Sequence, residues 1–382
     1  MKNFTYHNPT RIEFGKGKEK NIGQYIAEYG VSKVLIVYGS ERIRQSGLFD
    51  TVAKSLTDSK ISYESLGGVQ SNPVLSKVYE GVEMAKATGA EAVLAVGGGS
   101  VLDSSKAIAA GATYEGDVWD FFTYKAVPNK ALKIFDIMTL AAAGSEMNNF
   151  AVVTKEETKE KFNLAGAATY PTVSIINPEL QATVTNEYLV YSAADILAHS
   201  LDMYLSATYL PEYMAGYVEN ILKTVIRTTE ILLAEPKNYD ARGEFAWAAT
   251  QAINLTTFCG VENNRFDTHF IEHTLSAEYN IAHGAGLSIV MPAWMKWQKN
   301  NLPERFERFA KNMFNADGAD AGIEALKNWY KKIGTPVTLA EGNIPETDIP
   351  MLVEKLSVVA KMWGAESLYT KDMIRTILEN AK

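Results

Sequence analysis

An α/β fold followed by an all-helical region is what this sequence of 382 residues predicts, and two observations predict it. Short β-rich runs alternate with amphipathic stretches as far as Pro178, and from about Glu179 onward the chain holds long segments of 3.6-residue apolar spacing. The corresponding domains are residues 1–178 and 179–382, with a site between them as the default expectation.

In the first part, 33–38 (KVLIVY), 61–66, 92–96 (AVLAV) and 134–138 read as buried strands, separated by helical patterns such as 75–88. A last apolar run, 172–176, ends at Asn177-Pro178, where proline breaks the pattern. Strands alternating with helices give a parallel sheet with helices on its faces. In the second part the spacing predicts helices over 187–207, 212–234, 244–256, 268–279, 286–300, 303–314, 322–333 and 349–363. No internal repeat or low-complexity tract interrupts either part.

Composition removes several classes of function. With 37 Lys and Arg against 45 Asp and Glu, the net charge of -8 repels a phosphate backbone, so nucleic acid is not an expected partner. The single cysteine, Cys259, excludes an intrachain disulfide and a cysteine-built metal site, and it suits a reducing cytoplasm. The start lacks the apolar stretch of a secretory signal, and no apolar run approaches the roughly 18 residues that span a bilayer, so a soluble protein is expected.

Three turns carry chemistry in the first part. Gly97-Gly98-Gly99-Ser100 follows a buried strand and opens a helical segment containing Asp103. Glycines there let the backbone approach a ligand, and free N–H groups at a helix start attract an anion such as a diphosphate. A plain strand-to-helix turn has the same sequence, since this is not the G-x-G-x-x-G fingerprint. A second turn, Thr139 to Glu146, brings small residues with the hydroxyls of Thr139 and Ser145 after the strand ending at Met138. In the turn after residue 38, Gly39 and Ser40 stand where an acidic residue would pair with the ribose hydroxyls of NAD. With Arg42 and Arg44 close by, NADP is favoured over NAD, and Glu41 is the one residue that points the other way.

Four of the five histidines, His199, His269, His273 and His283, fall in the helical part. Asp195 and His199 are spaced i, i+4 and share a helix face, and His269 and His273 repeat the spacing. A carboxylate with several imidazoles suits a divalent ion such as Fe(II) or Zn(II). His283 follows His269 by 14 residues, about 21 Å along an unbroken helix at ~1.5 Å per residue, so the helix must break between them, near Tyr279-Asn280. His7 stands apart from the cluster.

These residues resemble the iron-containing alcohol dehydrogenases, and in particular their butanol dehydrogenase-like branch, over nearly the whole chain. The likeness is carried by Arg11-Ile12-Glu13-Phe14-Gly15-Lys16-Gly17, Asn72-Pro73, Gly97 to Ser100 with Asp103, Gly144-Ser145-Glu146-Met147-Asn148, and the set Asp195, His199, His269 and His283. What the resemblance implies is a dinucleotide-binding first domain, a helical catalytic domain, a divalent ion in the cleft held by that tetrad, and a homodimer. His273 corresponds to a histidine beside the metal, a candidate for the substrate pocket or proton path. Asn148 and Lys161 correspond to positions near the nicotinamide, and Asn72 joins the cofactor set. Two departures stand out: Ala143 lacks the hydroxyl that the family turn carries, and Asn177 and Asp202 replace what are commonly Asp and Glu, both taken as minor.

The activity so implied is hydride transfer between NAD(P)(H) and a primary alcohol or aldehyde, with the metal polarising the carbonyl. The rival expectations are a glycerol or polyol dehydrogenase of the same superfold, and a metal-dependent hydrolase whose glycine turns are structural.

Overall fold

The runs KVLIVY and AVLAVG are buried along almost their whole length, as strands of a parallel sheet covered on both faces must be. The computed structural model describes all of residues 1–382. In it the chain begins with β1 (Arg11–Phe14), α1 (Ile22–Ala27), β2 (Lys33–Tyr38), α2 (Arg42–Gln45), α3 (Leu48–Asp58) and β3 (Ser62–Leu66). Then come α4 (Leu75–Thr88), β4 (Ala92–Gly97), α5 (Gly99–Gly111), α6 (Trp119–Phe122), β5 (Lys133–Met138), β6 (Phe150–Lys155), β7 (Glu160–Ala165) and β8 (Val173–Ile176).

Six of these strands form one sheet in the order β1-β8-β5-β4-β2-β3, every pair parallel. Its interior is aliphatic: Ile36, Leu94, Ile137 and Ile175 are at most 2 % exposed and belong to one cluster with Phe49, Val52 and Leu56 of α3. Since β2 lies between β3 and β4, the chain runs to one side of β2 and then crosses to the other, which makes a topological switch at the C-terminal ends of β2 and β4. Each expected strand is present within one residue at either end. Two features went unread: the short edge strand β1 and the antiparallel pair β6–β7. Between β6 and β7 the chain reverses without Gly or Pro, through Lys159 at φ 54°, so the usual turn signal is missing.

The remaining helices are α7 (Asn186–Ser206), α8 (Glu212–Ala234), α9 (Tyr239–Ile253), α10 (Asp267–Tyr279), α11 (His283–Gln298), α12 (Pro303–Phe314), α13 (Ala319–Ile333), α14 (Ile349–Met362) and α15 (Lys371–Asn380). The chain divides into two compact units, which we call the sheet unit (His7–Val184 with Glu235–Asn254) and the helical unit (Met1–Tyr6, Thr185–Ala234 and Leu255–Lys382). Helix α9 therefore belongs to the sheet unit, where Trp247 meets Phe14 edge-on. Within the helical unit α7 is buried over most of its length and packs against α8, α10 and α11. Its first turn is capped by Thr185, whose hydroxyl accepts from the Tyr188 N–H. No helix is long and apolar enough to cross a membrane.

Three helices start three or more residues before the expected position, α13 at Ala319 rather than 322, and for the other two the cause is plain. Helix α9 starts at Tyr239, not 244, because Asn238 caps it by accepting from Ala241 N–H. Helix α11 starts at His283, not 286: Gly284 and Gly286 lower helix propensity but allow close packing, since a Cβ on Gly284 would run into the Tyr191 carbonyl of α7. Helix α15 was not expected at all. The expected break after His269 is present, with α10 ending at Tyr279 and Asn280 in the left-handed region at φ 52°.

Candidate active site

One turn of α7 separates Asp195 from His199, and the spacing brings His199 Nε2 to 3.6 Å from Asp195 Oδ1. From α10, His269 Nε2 lies 3.7 Å from the same oxygen, and His283 Nε2, from the first residue of α11, lies at 3.6 Å. The four expected ligands thus converge on one point inside the helical unit. These separations are too long for hydrogen bonds. They are close to the ~3.4 Å between ligand atoms of a tetrahedral site with bonds of ~2.1 Å; the ligand atoms of Asp195, His199 and His269 all lie within 4.8 Å of one another, and His283 adjoins them through Asp195 Oδ1 while also grouping with Glu272 and His273.

Burial sharpens this. Asp195 is 4 % exposed and His269 8 %, yet Asp195 Oδ1 and His269 Nε2 have no hydrogen-bond partner. Such atoms normally have one, and a cation between them supplies it. His199 and Asp195 hold the charge states that a cation needs, whereas the His269 ring keeps a proton that a bound ion has to displace. Burial pushes His199 down to about 3, so its imidazole is neutral with a lone pair to offer. Burial opposes ionisation of Asp195 too, but the histidines around it outweigh burial and hold the carboxylate well below its usual range. His269 is raised to about 9 against the effect of burial, by Asp195 and Asp202 together.

Asp202 is the residue that the sequence undervalued. Its Oδ2 lies 2.8 Å from His269 Nδ1, and it accepts from Thr268 through N–H at 3.1 Å and Oγ1 at 2.7 Å. It fixes the ring that faces Asp195. The signal was its position, one turn beyond His199 on an otherwise buried helix. Half-buried His273 is brought beside the others, its ring 5.5 Å from that of His283 and 6.4 Å from that of His269.

In the sheet unit the three expected turns follow β2, β4 and β5, neighbouring strands, and lie at their C-terminal ends. That edge of a parallel sheet is where ligands bind. Gly98 is extended and Gly99 begins α5, whose first N–H groups receive no side-chain cap. The glycines also serve packing: a Cβ on Gly98 would lie 3.1 Å from Leu140 Cβ, and one on Gly99 2.9 Å from Ala143 Cβ. The turn Thr139 to Glu146 sits directly on the first turn, and Thr139 N–H donates to Gly97 O at 2.8 Å.

Several expected cofactor residues are held by their own neighbours. Asp103 accepts from Ser145 Oγ at 2.7 Å and from Val152 N–H at 2.9 Å. Asn148 is 2 % exposed; its amide donates to Gly144 O at 2.9 Å and its Oδ1 accepts from Lys106 Nζ at 3.0 Å. Lys106, unforeseen from sequence, is fully buried and also donates to the carbonyls of Asn148 and Phe150. Burial pushes it down to about 8. Lys161 Nζ donates to Asn72 Oδ1 at 3.1 Å. After β2, Ser40 is exposed, while Glu41 accepts from Tyr38 Oη at 3.1 Å and pairs with Arg44 at 3.3 Å. The Arg44 guanidinium lies over Phe49, 3.7 Å from the ring centre.

A parallel sheet with a switch point, bearing glycine turns, and a helical unit with a buried carboxylate and imidazole cluster define a metal-dependent dehydrogenase architecture. The chain belongs to the iron-containing alcohol dehydrogenase family: the family description "Iron-containing alcohol dehydrogenase" matches residues 9–178, and its C-terminal counterpart matches residues 189–382. It is 35% identical to NADH-dependent butanol dehydrogenase A of Clostridium acetobutylicum over 363 residues, 93% of each chain. It is 30% identical to the NADPH-dependent aldehyde reductase YqhD of Escherichia coli over the full length of both. Among solved structures, NADH-dependent butanol dehydrogenase A of Thermotoga maritima superposes with a TM-score of 0.97 at 46% identity, covering 100% of this chain and 99% of that one. This chain is accordingly an NAD(P)-linked, metal-dependent oxidoreductase of the alcohol dehydrogenase and aldehyde reductase class.

Proposed function

We propose that the protein interconverts short aliphatic aldehydes and primary alcohols, butanal and butanol being representative, with NADP(H) preferred and Fe(II) or Zn(II) held by Asp195, His199, His269 and His283. What carries this is the convergence of three imidazole Nε2 atoms on the buried, partnerless Asp195 Oδ1. When bound, the ion supplies Lewis acidity to the oxygen of the carbonyl or alkoxide. The uncapped start of α5 after Gly97 to Gly99 receives the cofactor diphosphate, with Ser100 and Thr139 beside it. Asp103 and Asn148 hold the two turns in register, and Lys161 with Asn72 borders the nicotinamide end. His273 holds or passes the proton that the alcohol oxygen gains or loses. The expected setting is a homodimer in the cytoplasm.

The preference for NADPH is supported by the turn after β2. Glu41, the one residue that argued for NADH, is engaged by Tyr38 and Arg44, which leaves exposed Ser40 to meet the ribose. Relatives of both cofactor types exist, so the test is direct. Catalytic efficiency is measured with NADPH and NADH, on butanal and on glycerol with NADP, after loading with each metal. Preference for NADPH should fall about ten- to a hundredfold in Ser40→Asp, which sets a carboxylate against the 2'-phosphate. A wild-type preference for NADH removes Ser40 as the selector, and turnover of glycerol without turnover of butanal overturns the substrate class.

A further inference from the structure

Two of the three converging histidines are gripped from behind by a carboxylate with no exposed surface. His269 Nδ1 meets Asp202, and His283 Nδ1 meets Glu272 Oε2. Glu272 is itself braced on both sides. Its Oε1 accepts from Ser276 Oγ one turn along α10, and α11 presses against it at Gly286, where a Cβ would come within 2.6 Å of that oxygen. His199 differs: its Nδ1 is buried and has no partner.

We infer that Glu272 is a positioning residue for the metal, the counterpart on His283 of Asp202 on His269, and that His199 is the unsupported ligand of the set. This rests on the tetrad proposed above. The physics is tautomeric and steric. An Nδ1–H that donates to a fixed carboxylate leaves the lone pair on Nε2 and stops the ring from rotating, so the ion meets an oriented donor. The carboxylate also makes the imidazole a stronger donor. Glu272 suits this role because its second oxygen is held by Ser276 and Gly286 admits its side chain. His283 also needs such a hold most, being 27 % exposed and at the first residue of its helix, where side chains are least confined.

The test uses the full-length protein stripped of metal and titrated with Zn(II) against a competing fluorescent chelator. Absorption of the Co(II)-loaded form is recorded alongside. Glu272→Gln should weaken Zn(II) binding about ten- to a hundredfold and shift the Co(II) ligand-field bands, while the metal-free variant melts close to wild type. Ser276→Ala, which loosens only one oxygen of Glu272, should weaken binding in the same direction by a smaller factor, and it decides the matter if Glu272→Gln does not fold. Wild-type affinity with an unchanged Co(II) spectrum in the variant that folds overturns the role of Glu272 and leaves the tetrad standing. Failure of the wild-type protein itself to bind Zn(II) or Co(II) overturns the tetrad, and this inference with it.

Discussion

In the helical unit three imidazoles from three helices meet at one carboxylate oxygen, whereas in the sheet unit the turns offer backbone and keep most of their polar side chains for one another. Asp195 Oδ1 and His269 Nε2 lie buried without partners. Asp103 and Asn148, by contrast, are fully engaged with Ser145, Val152, Gly144 and Lys106. On the proposed assignment the difference follows from what each ligand demands. A divalent ion needs lone pairs at fixed distances, which only side chains supply. A diphosphate is satisfied by backbone N–H groups at a helix start, provided the turn that presents them is rigid.

The largest expected effect breaks the helical half of this comparison. Replacing His269 by Ala removes one donor and leaves Asp202 buried without its ring, so divalent affinity should fall by more than about a hundredfold, beyond the range for losing an outer partner. Activity should fall with metal content, and dialysis of the wild-type enzyme against a chelator should reproduce the loss. A variant with full metal content and normal turnover would exclude His269 from the site.

That contrast also explains what the sequence made legible. Residue type and spacing singled out Asp195, His199 and His269, which the fold brings together, and the helix break before His283. Glu272 and Lys106 stayed hidden. A Glu beside a His, or a Lys following a Gly-rich turn, is ordinary in an exposed helix, and only burial shows that each is enclosed by polar partners. The parallel strands were plain from their unbroken apolar runs, while β1 is four residues of alternating polarity and β6–β7 turns without glycine. Asp202 shows the limit of comparing residue types alone, since its grip on His269 is visible only in the fold.

The next effect tests whether the sheet unit depends on its buried scaffold. Lys106→Met keeps the length of the side chain but strands the acceptors of Asn148 and Phe150 and leaves Asp103 without its nearest cation. Stability should drop by roughly 2 to 4 kcal/mol, the cost of leaving buried acceptors without their charged donor. The measurement is a denaturant midpoint at unchanged slope. Zn(II) affinity of the folded protein should stay at the wild-type level. A loss under about 1 kcal/mol would mean that water replaces the ammonium and that the network is not a scaffold.

A milder change asks whether Asp103 works through the turns. Asp103→Asn preserves shape and one acceptor but removes the charge that receives Ser145 Oγ and Val152 N–H. The expected cost is about 1 to 3 kcal/mol of stability with severalfold weaker NADPH binding and unchanged metal content. Wild-type cofactor affinity in a destabilised protein would separate the fold from the site and deny Asp103 any part in shaping the turn.

The smallest effect concerns Ala143, where the resemblance to the family implied a hydroxyl. Its Cβ faces Gly99 closely enough that a Cβ there would lie 2.9 Å away, so the residue sits against the first helical position of α5, beside the turn proposed to receive the diphosphate. In Ala143→Thr the new hydroxyl can donate to a phosphate oxygen, a contact to a charged acceptor whose net value is about 1.5 kcal/mol at the low end of its range, or roughly tenfold in affinity. Part of that gain is offset, because the added methyl must find room where the two turns already touch and the β-branched side chain has few rotamers to choose from. A net tightening of NADPH binding by about two- to fivefold is therefore expected, with the same gain for NADH, since both cofactors carry the diphosphate. Equal affinity for both in wild type and variant would place the diphosphate elsewhere than on the Gly97 to Ser100 turn. Weaker binding of both, with an unchanged melting temperature, would show that the alanine is there to let the turns close, and that this chain relies on backbone donors alone at this turn.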